Sequence, residues 1–297
     1  MKRGTMMALA GVLLAGFAGA IALQVVRNRL YQVDTREVER VLYVRSTAAI
    51  KRLTLDFDAL AADVYWIRAI QHYGGDRLDQ STTRRKYELL YQLLDHTTTL
   101  DPYFTIAYRF GAIFLSEAYP GGAGRPDLAI ALLEKGLSVQ PEKWQYFHDI
   151  AFVHYWHYRD FRAAADWFQR AADCPGSPNW LPPLVANMRA AGSDRASSRV
   201  LWNQILQSEE EWLRRSAARA LQQLDALDVI DQLQALTARF PPPSGEPHSW
   251  EALVRRRVLR GVPADPTGTP FDIDPATGAV TVSRQSTLYP LPQTVLK

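Results

Sequence analysis

The sequence predicts an all-α protein of stacked helical hairpins, with a membrane anchor at its N-terminus and a small β-hairpin near its C-terminus. Two similar stretches, AIALLEKGLSVQP (129–141) and AAADWFQRAADCP (163–175), are offset by thirty-four residues. An uncharged run covers Met6–Leu23. No stretch before Pro241 alternates apolar and polar residues for long enough to predict a strand.

The composition is that of a folded chain without a strong charge preference. The 297 residues are 47% hydrophobic, which is enough for a sizeable core, and the net charge is +3. Basic residues are dispersed among acidic ones, which argues against a nucleic-acid partner. The single cysteine, Cys174, excludes an internal disulfide and a cysteine-based zinc site.

The N-terminal run is the strongest signal of cellular location. Its eighteen uncharged residues, Met6–Leu23, are close to the length that a bilayer core requires of a helix. We interpret residues 1–27 as an uncleaved transmembrane anchor, while the triplet Ala20, Ile21 and Ala22 leaves a cleavable signal peptide open. Flanking positive charges do not settle the orientation. Large C-terminal domains translocate largely regardless of such charges, so we expect the soluble part on the periplasmic side of the cytoplasmic membrane.

Small residues recur at every fourth position within this run. Gly11, Ala15 and Gly19 would share one face of a helix, and small side chains there let a neighbouring membrane helix approach closely. The anchor is therefore also a candidate packing surface within a membrane complex.

Residues 28–52 read as a charged juxtamembrane connector, and residues 53–240 as successive helices divided by Gly, Pro and Asp. The last two predicted helices cover residues 209–226 and 228–240. Short turns pair the helices into antiparallel hairpins. The two offset stretches are then the second helices of consecutive hairpins. A helix pair cannot bury its apolar face alone, so hairpins with a fixed period are expected to stack into a solenoid.

This pattern resembles the tetratricopeptide repeat over residues 104–175, and matches it only loosely over 53–102 and 178–240. The first repeat departs from the family pattern by extra residues in its loop, PGGAGR (120–125). The second repeat departs from it by His154, where Tyr is usual. The consensus positions are occupied by Ala107, Phe110, Gly111, Phe114, Ala129, Leu133, Gly136 and Pro141, and then by Phe147, Ile150, Ala151, His154, Ala163, Trp167 and Pro175.

The resemblance implies a groove lined by the first helix of each hairpin. Its transferred positions give five candidate partner-binding residues: Tyr108, His148, Phe152, Tyr155 and Trp156. Aromatic side chains supply large contact areas and dominate binding hot spots. The Lys, Asn and Arg clamp of the peptide-tail-binding members is absent, which argues against capture of a free carboxylate. The alternative is that these aromatic residues pack in the core.

The C-terminal region, residues 241–297, combines a Pro-rich linker, a short helix and a β-hairpin formed by TPFDID (269–274) and AVTVS (279–283). The order of its Gly, Pro and Asp residues is similar to the C-terminal segment of type II secretion pseudopilins. The chain lacks their processing signature, so the similarity implies a shared local module. Asp265, Asp272 and Asp274 offer oxygens for calcium, as in related tails, but turn formation explains them more simply.

Enzymatic signatures are missing from the sequence. There is no Gly-rich phosphate loop after a strand, no G-x-S-x-G and no H-E-x-x-H, and we expect neither a bound metal nor a cofactor. Anchor, repeats and tail together resemble membrane-anchored repeat proteins of bacterial envelopes. We therefore predict a non-enzymatic scaffold of the cell envelope that binds an envelope or membrane protein through its aromatic groove. One alternative is an accessory structural subunit of a large integral membrane complex, held by its transmembrane helix. An envelope enzyme is the third.

Overall fold

The computed structural model describes residues 14–26, 46–79, 86–243 and 246–292, and these are mostly helical. The all-α prediction is therefore confirmed at the level of fold class. The chain divides between Arg125 and Pro126 into two compact units. This division falls inside the first predicted repeat, so the two helices of that repeat belong to different units.

The first unit is built around one central helix. Its helices are α1 (residues 14–26), α2 (Thr47–Leu53), α3 (Asp58–Leu78), α4 (Leu90–Leu100) and α5 (Thr105–Ser116). Helix α4 packs against α2, α3 and α5, and its leucines at 90, 93 and 94 are fully buried. Aromatic rings join the flanking helices, because Trp66 of α3 stacks on Phe114 of α5 with 6.2 Å between ring centroids.

The predicted anchor is only partly described. Residues 14–26 form α1, in which every side chain is exposed, and the remainder of the predicted span lies outside the described residues. Ala15 and Gly19 belong to α1, whereas Gly11 and most of the connector lie outside the described residues. Within the described part of the chain, no helix has both the length and the apolar character needed to cross a membrane.

The second unit stacks helices in chain order. They are α6 (Pro126–Val139), α7 (Trp144–Val153), α8 (Phe161–Asp173), α9 (Leu181–Ala191), α10 (Arg195–Ile205) and α11 (Glu211–Arg239). Each packs mainly against the next. Side-chain caps begin α8 and α10, where Asp160 and Asp194 accept from the backbone N–H groups three residues later.

One boundary prediction in this unit is wrong. Residues 209–226 and 228–240 were expected to form two helices, but α11 is a single helix of 29 residues. The aspartates near the expected break do not cap a new helix. Asp225 and Asp228 instead bind the guanidinium of Arg199, and Asp228 and Asp231 bind that of Arg195, both on α10. The pairing secures α11 against α10 without interrupting it.

The C-terminal tail packs on α11. It contains α12 (Trp250–Arg255) and two antiparallel strands, β1 (Asp272–Ile273) and β2 (Val280–Thr281), with Asp272 opposite Thr281. The predicted β-hairpin is thus present, with very short strands. Its core joins the tail to Ala226 and Leu233 of α11 through Trp250, Leu253, Phe271, Val280, Val282 and Leu288. A two-residue ladder cannot hold itself together in water, so this shared core stabilises the module.

Candidate functional site

The candidate site lies at the junction of α7 and α8. Helix α7 continues past Val153 as a π-helical turn, His154–Tyr158, in which the backbone hydrogen bonds span five residues. Arg159 ends the turn in the left-handed region, with φ of 55°. Single π-helical turns are rare and occur frequently at functional sites.

Two aromatic rings stack on the surface of this junction. The rings of Phe152 and Trp156 are nearly parallel, with an angle of 4° and 6.1 Å between centroids. Both are about half exposed, at 47% and 53%. The guanidinium of Arg159 lies 5.7 Å from the centre of the Trp156 ring, at a distance suited to a cation–π contact. We call Phe152, Trp156 and Arg159 the aromatic patch.

Tyr155 and His148 are both partly buried, and Tyr155 contacts the patch. The ring of Tyr155 meets Phe161 edge-on, with centroids 5.6 Å apart, and also contacts Phe152. His148 belongs to a neighbouring aromatic group, where its ring lies 5.4 Å from Phe168 and 5.6 Å from Trp180. Four of the five predicted residues therefore lie on α7 and its π-helical turn, but only Phe152 and Trp156 are well exposed.

Tyr108 is different. It lies in the first unit with no exposed surface, and its hydroxyl donates to the backbone oxygen of Thr98 at 3.3 Å. Helix α5 buries the face that carries Ala107, Tyr108, Gly111 and Leu115, and it exposes Phe110. Tyr108 is a core residue and presents no surface to a partner.

Burial favours the neutral form of the two histidines in the π-helical turn. Burial lowers the pKa of His154 by more than Asp160 and Glu134 raise it, and burial also lowers the pKa of His157. Nδ1 of His154 is buried without a hydrogen-bond partner among the described residues. Arg159 is therefore the group that supplies positive charge to the patch.

Arg159 was not among the sequence candidates. The dipeptide Arg159–Asp160 indicates only a tight turn, and nothing in the sequence shows that Arg159 adopts positive φ and reaches Trp156. The one available signal is its spacing of three residues from Trp156, which places the two side chains on neighbouring positions of a helical surface.

The tail carboxylates are turn-forming groups. Asp265 is buried, and its carboxylate accepts from the N–H groups of Thr267 and Thr269 at 2.8 and 3.0 Å and from the hydroxyls of Thr267 and Ser286. Burial alone would raise the pKa of Asp265, but these hydrogen bonds outweigh it and hold the pKa below its usual range. Asp274 accepts from the N–H groups of Ala276 and Thr277. Hydrogen-bond donors thus occupy both carboxylate oxygens of Asp265 and Oδ1 of Asp274.

Over the part of the chain that the structure describes, no cluster of three or more His, Cys, Asp or Glu residues is arranged to hold a metal ion. The chain matches no protein-family model, and no curated protein or solved structure is significantly similar to it. The class of protein defined here is accordingly a mostly helical chain with an exposed aromatic patch.

Proposed function

We propose that this protein is a non-enzymatic scaffold of the bacterial cell envelope, which binds an envelope or membrane protein through the aromatic patch. In this proposal the N-terminal run, residues 6–23, anchors the chain in the cytoplasmic membrane as a single span, with the soluble part on the periplasmic side. The helices of residues 53–240 form degenerate tetratricopeptide-like hairpins. Support for the hairpins comes from the chain-order packing of α6 to α11.

The stacked pair of Phe152 and Trp156 carries this proposal. Each ring already contacts the other and Trp156 also contacts Arg159, so little rotamer freedom remains to be lost on binding. Half of each ring still faces water, and burying that area against a partner is favourable. Exposed aromatic residues held by their neighbours are the usual composition of a binding hot spot.

Replacing Trp156 with alanine is expected to weaken partner binding by roughly 30-fold, which corresponds to about 2 kcal/mol for a hot-spot aromatic residue. A photoreactive phenylalanine analogue at position 152, activated in native membranes, identifies the partner. The dissociation constant is then measured with the wild-type chain and with Trp156→Ala.

Trp212 provides the matched control, because it is a tryptophan of similar exposure, 46%, at the start of α11 and away from the patch. Trp212→Ala should leave the dissociation constant unchanged. Equal crosslinking from position 212, or an affinity that Trp156→Ala does not alter, would contradict the proposal.

The second candidate function is an accessory subunit held in a membrane complex by the anchor. Ala15 and Gly19 are four residues apart on α1, and a Cβ atom added at Gly19 would meet no atom within 4 Å. The small-residue face therefore has room for a neighbouring helix.

Gly19→Leu is expected to release such a subunit, because the added side chain keeps a packed helix at a distance. Ala20→Leu adds a similar bulk about 100° further round the helix and should be tolerated. Native gel electrophoresis of mildly solubilised membranes separates the outcomes. A complex that survives Gly19→Leu would remove the accessory-subunit candidate.

A further inference from the structure

A second exposed apolar surface lies in the first unit, where α2 turns into α3. Its side chains are Leu53, Leu55, Phe57 and Leu60, which we call the α2–α3 corner. The first three are 70%, 78% and 69% exposed. Single exposed leucines are ordinary in soluble proteins, but here four large exposed apolar side chains fall within eight residues.

The backbone of the corner is held in an unfavourable conformation. Leu55 and Asp56 both lie in the left-handed region, with φ of 46° and 72°. Asn and Gly tolerate this region far better than Leu does. A leucine in such a place gains nothing from the core, since its side chain projects into solvent. Backbone strain of this kind clusters at functional sites, which indicates that Leu55 has a role outside the folded unit.

Helix α3 continues the apolar surface away from the corner. Phe57, Leu60, Val64 and Ile67 follow the three-four-three spacing of one helical face, and all of them are exposed. The opposite face, which carries Ala62, Tyr65 and Ala69, is buried in the first unit. Exposure falls from 78% at Leu55 to 51% at Val64, so the corner is the most prominent part of the stripe.

We propose that the α2–α3 corner inserts into the surface of the lipid bilayer that holds the N-terminal anchor. The inference rests on the proposed function for the anchor alone and is independent of the aromatic patch. Residues 27–45 connect α1 to Ser46, where α2 is capped, and a chain extends by at most about 3.5 Å per residue. The corner is therefore confined near the membrane at a high effective concentration, where a weak interfacial affinity is enough.

The form of the corner favours lipid over a protein partner. Side chains that project from a turn need a deep complementary pocket in a protein, whereas a fluid bilayer adapts to them. Lys51 and Arg52 precede the tip on α2 and can extend their charged ends toward the head groups. Asp56 and Asp58 balance these two charges. Insertion should thus depend on apolar burial and little on anionic lipid.

Spin labels on the full chain, reconstituted into phosphatidylcholine vesicles, test the proposal. In a Cys174→Ser background, single cysteines at positions 57, 78 and 20 are labelled, and collision rates with oxygen and with a water-soluble nickel complex are compared. Leu78 lies at the far end of α3 and is 82% exposed, which makes it the matched control for Phe57. We expect the oxygen-to-nickel ratio to be several-fold higher at position 57 than at position 78.

The label at Ala20, in α1, reports on the anchor separately. A lipid environment at position 20 with an aqueous environment at position 57 would overturn the corner insertion and leave the anchor standing. An aqueous environment at position 20 would overturn the anchor and, with it, this inference. Equal ratios at 57 and 78, or an immobilised label at 57 that oxygen does not reach, would also overturn it.

Leu55→Asn gives a second, independent readout. Asparagine suits the left-handed backbone, so the thermal unfolding midpoint should rise, while the lipid exposure at position 57 should fall because an apolar side chain is lost. Adding phosphatidylglycerol to the vesicles should change neither the unfolding midpoint nor the lipid exposure at position 57 appreciably. A ratio at position 57 that Leu55→Asn leaves unchanged would contradict insertion of the corner.

Discussion

Tyr108→Ala is expected to lower the free energy of unfolding of the first unit by about 3–5 kcal/mol, the cost of deleting a buried aromatic side chain from a packed core. The ring is fully buried, and the loss of its hydroxyl also leaves the oxygen of Thr98 without that donor. Hydrogen exchange of the α4 and α5 amides, followed by mass spectrometry, measures the loss where it occurs.

Phe110→Ala is the control for this prediction. Phe110 is an aromatic residue on the same helix, two positions away and 51% exposed, so its removal should cost well under half as much. Tyr108→Phe should fall between the wild-type chain and Tyr108→Ala, at about 1 kcal/mol for one hydrogen bond. If Tyr108→Ala left the free energy of unfolding unchanged but abolished partner binding, Tyr108 would be a binding residue, and this prediction would be wrong.

Asp265→Ala is expected to destabilise the C-terminal module by about 3 kcal/mol, because the donors that now bind this buried carboxylate would be left without that acceptor. The two threonine N–H groups and the hydroxyl of Ser286 all depend on this side chain. Proteolytic susceptibility of residues 263–290 gives a direct local measurement.

The low pKa of Asp265 adds a pH dependence with a definite sign. Because the folded-state pKa lies below the unfolded value of about 3.9, the carboxylate stabilises the fold above that pH, and its contribution is lost as pH falls through the folded-state pKa. The difference in unfolding midpoint between the wild-type chain and Asp265→Asn should therefore shrink below about pH 4. Chelating agents should leave both midpoints unchanged. A chelator-dependent midpoint would mean that calcium, and not the hydrogen-bond donors alone, satisfies this carboxylate.

Capping residues and prolines made many helix boundaries predictable from the sequence. Helix α8 occupies Phe161–Asp173, close to the predicted stretch 163–175, because Asp160 caps one end and Pro175 follows the other. Asp194 caps the start of α10 through the same kind of local hydrogen bond. These signals act over three or four residues, so a single sequence carries them in full.

Long-range and conformational features could not be predicted in the same way. Asp225, Asp228 and Asp231 look like helix breakers until their arginine partners on α10 are known. The inward rotation of Tyr108 depends on what packs around α5. No sequence rule predicts the π-helical turn at 154–158, which positions Trp156 beside Arg159. The repeat pattern indicated which aromatic residues of the second unit were candidates for binding, but it did not show which of their rings would be exposed to solvent.

The way the tail is attached to α11 has a practical consequence for anyone who shortens the chain. Arg219 and Gln223 donate to main-chain oxygens between Thr287 and Pro290, and Thr237 donates to that of Gly278. A fragment that stopped at Phe240 would leave the Gln223 and Thr237 side chains without these acceptors and would expose the apolar surface around Leu233. Such a fragment would be prone to aggregate during expression, so a truncation intended to isolate the helical repeats should retain every residue through Leu291.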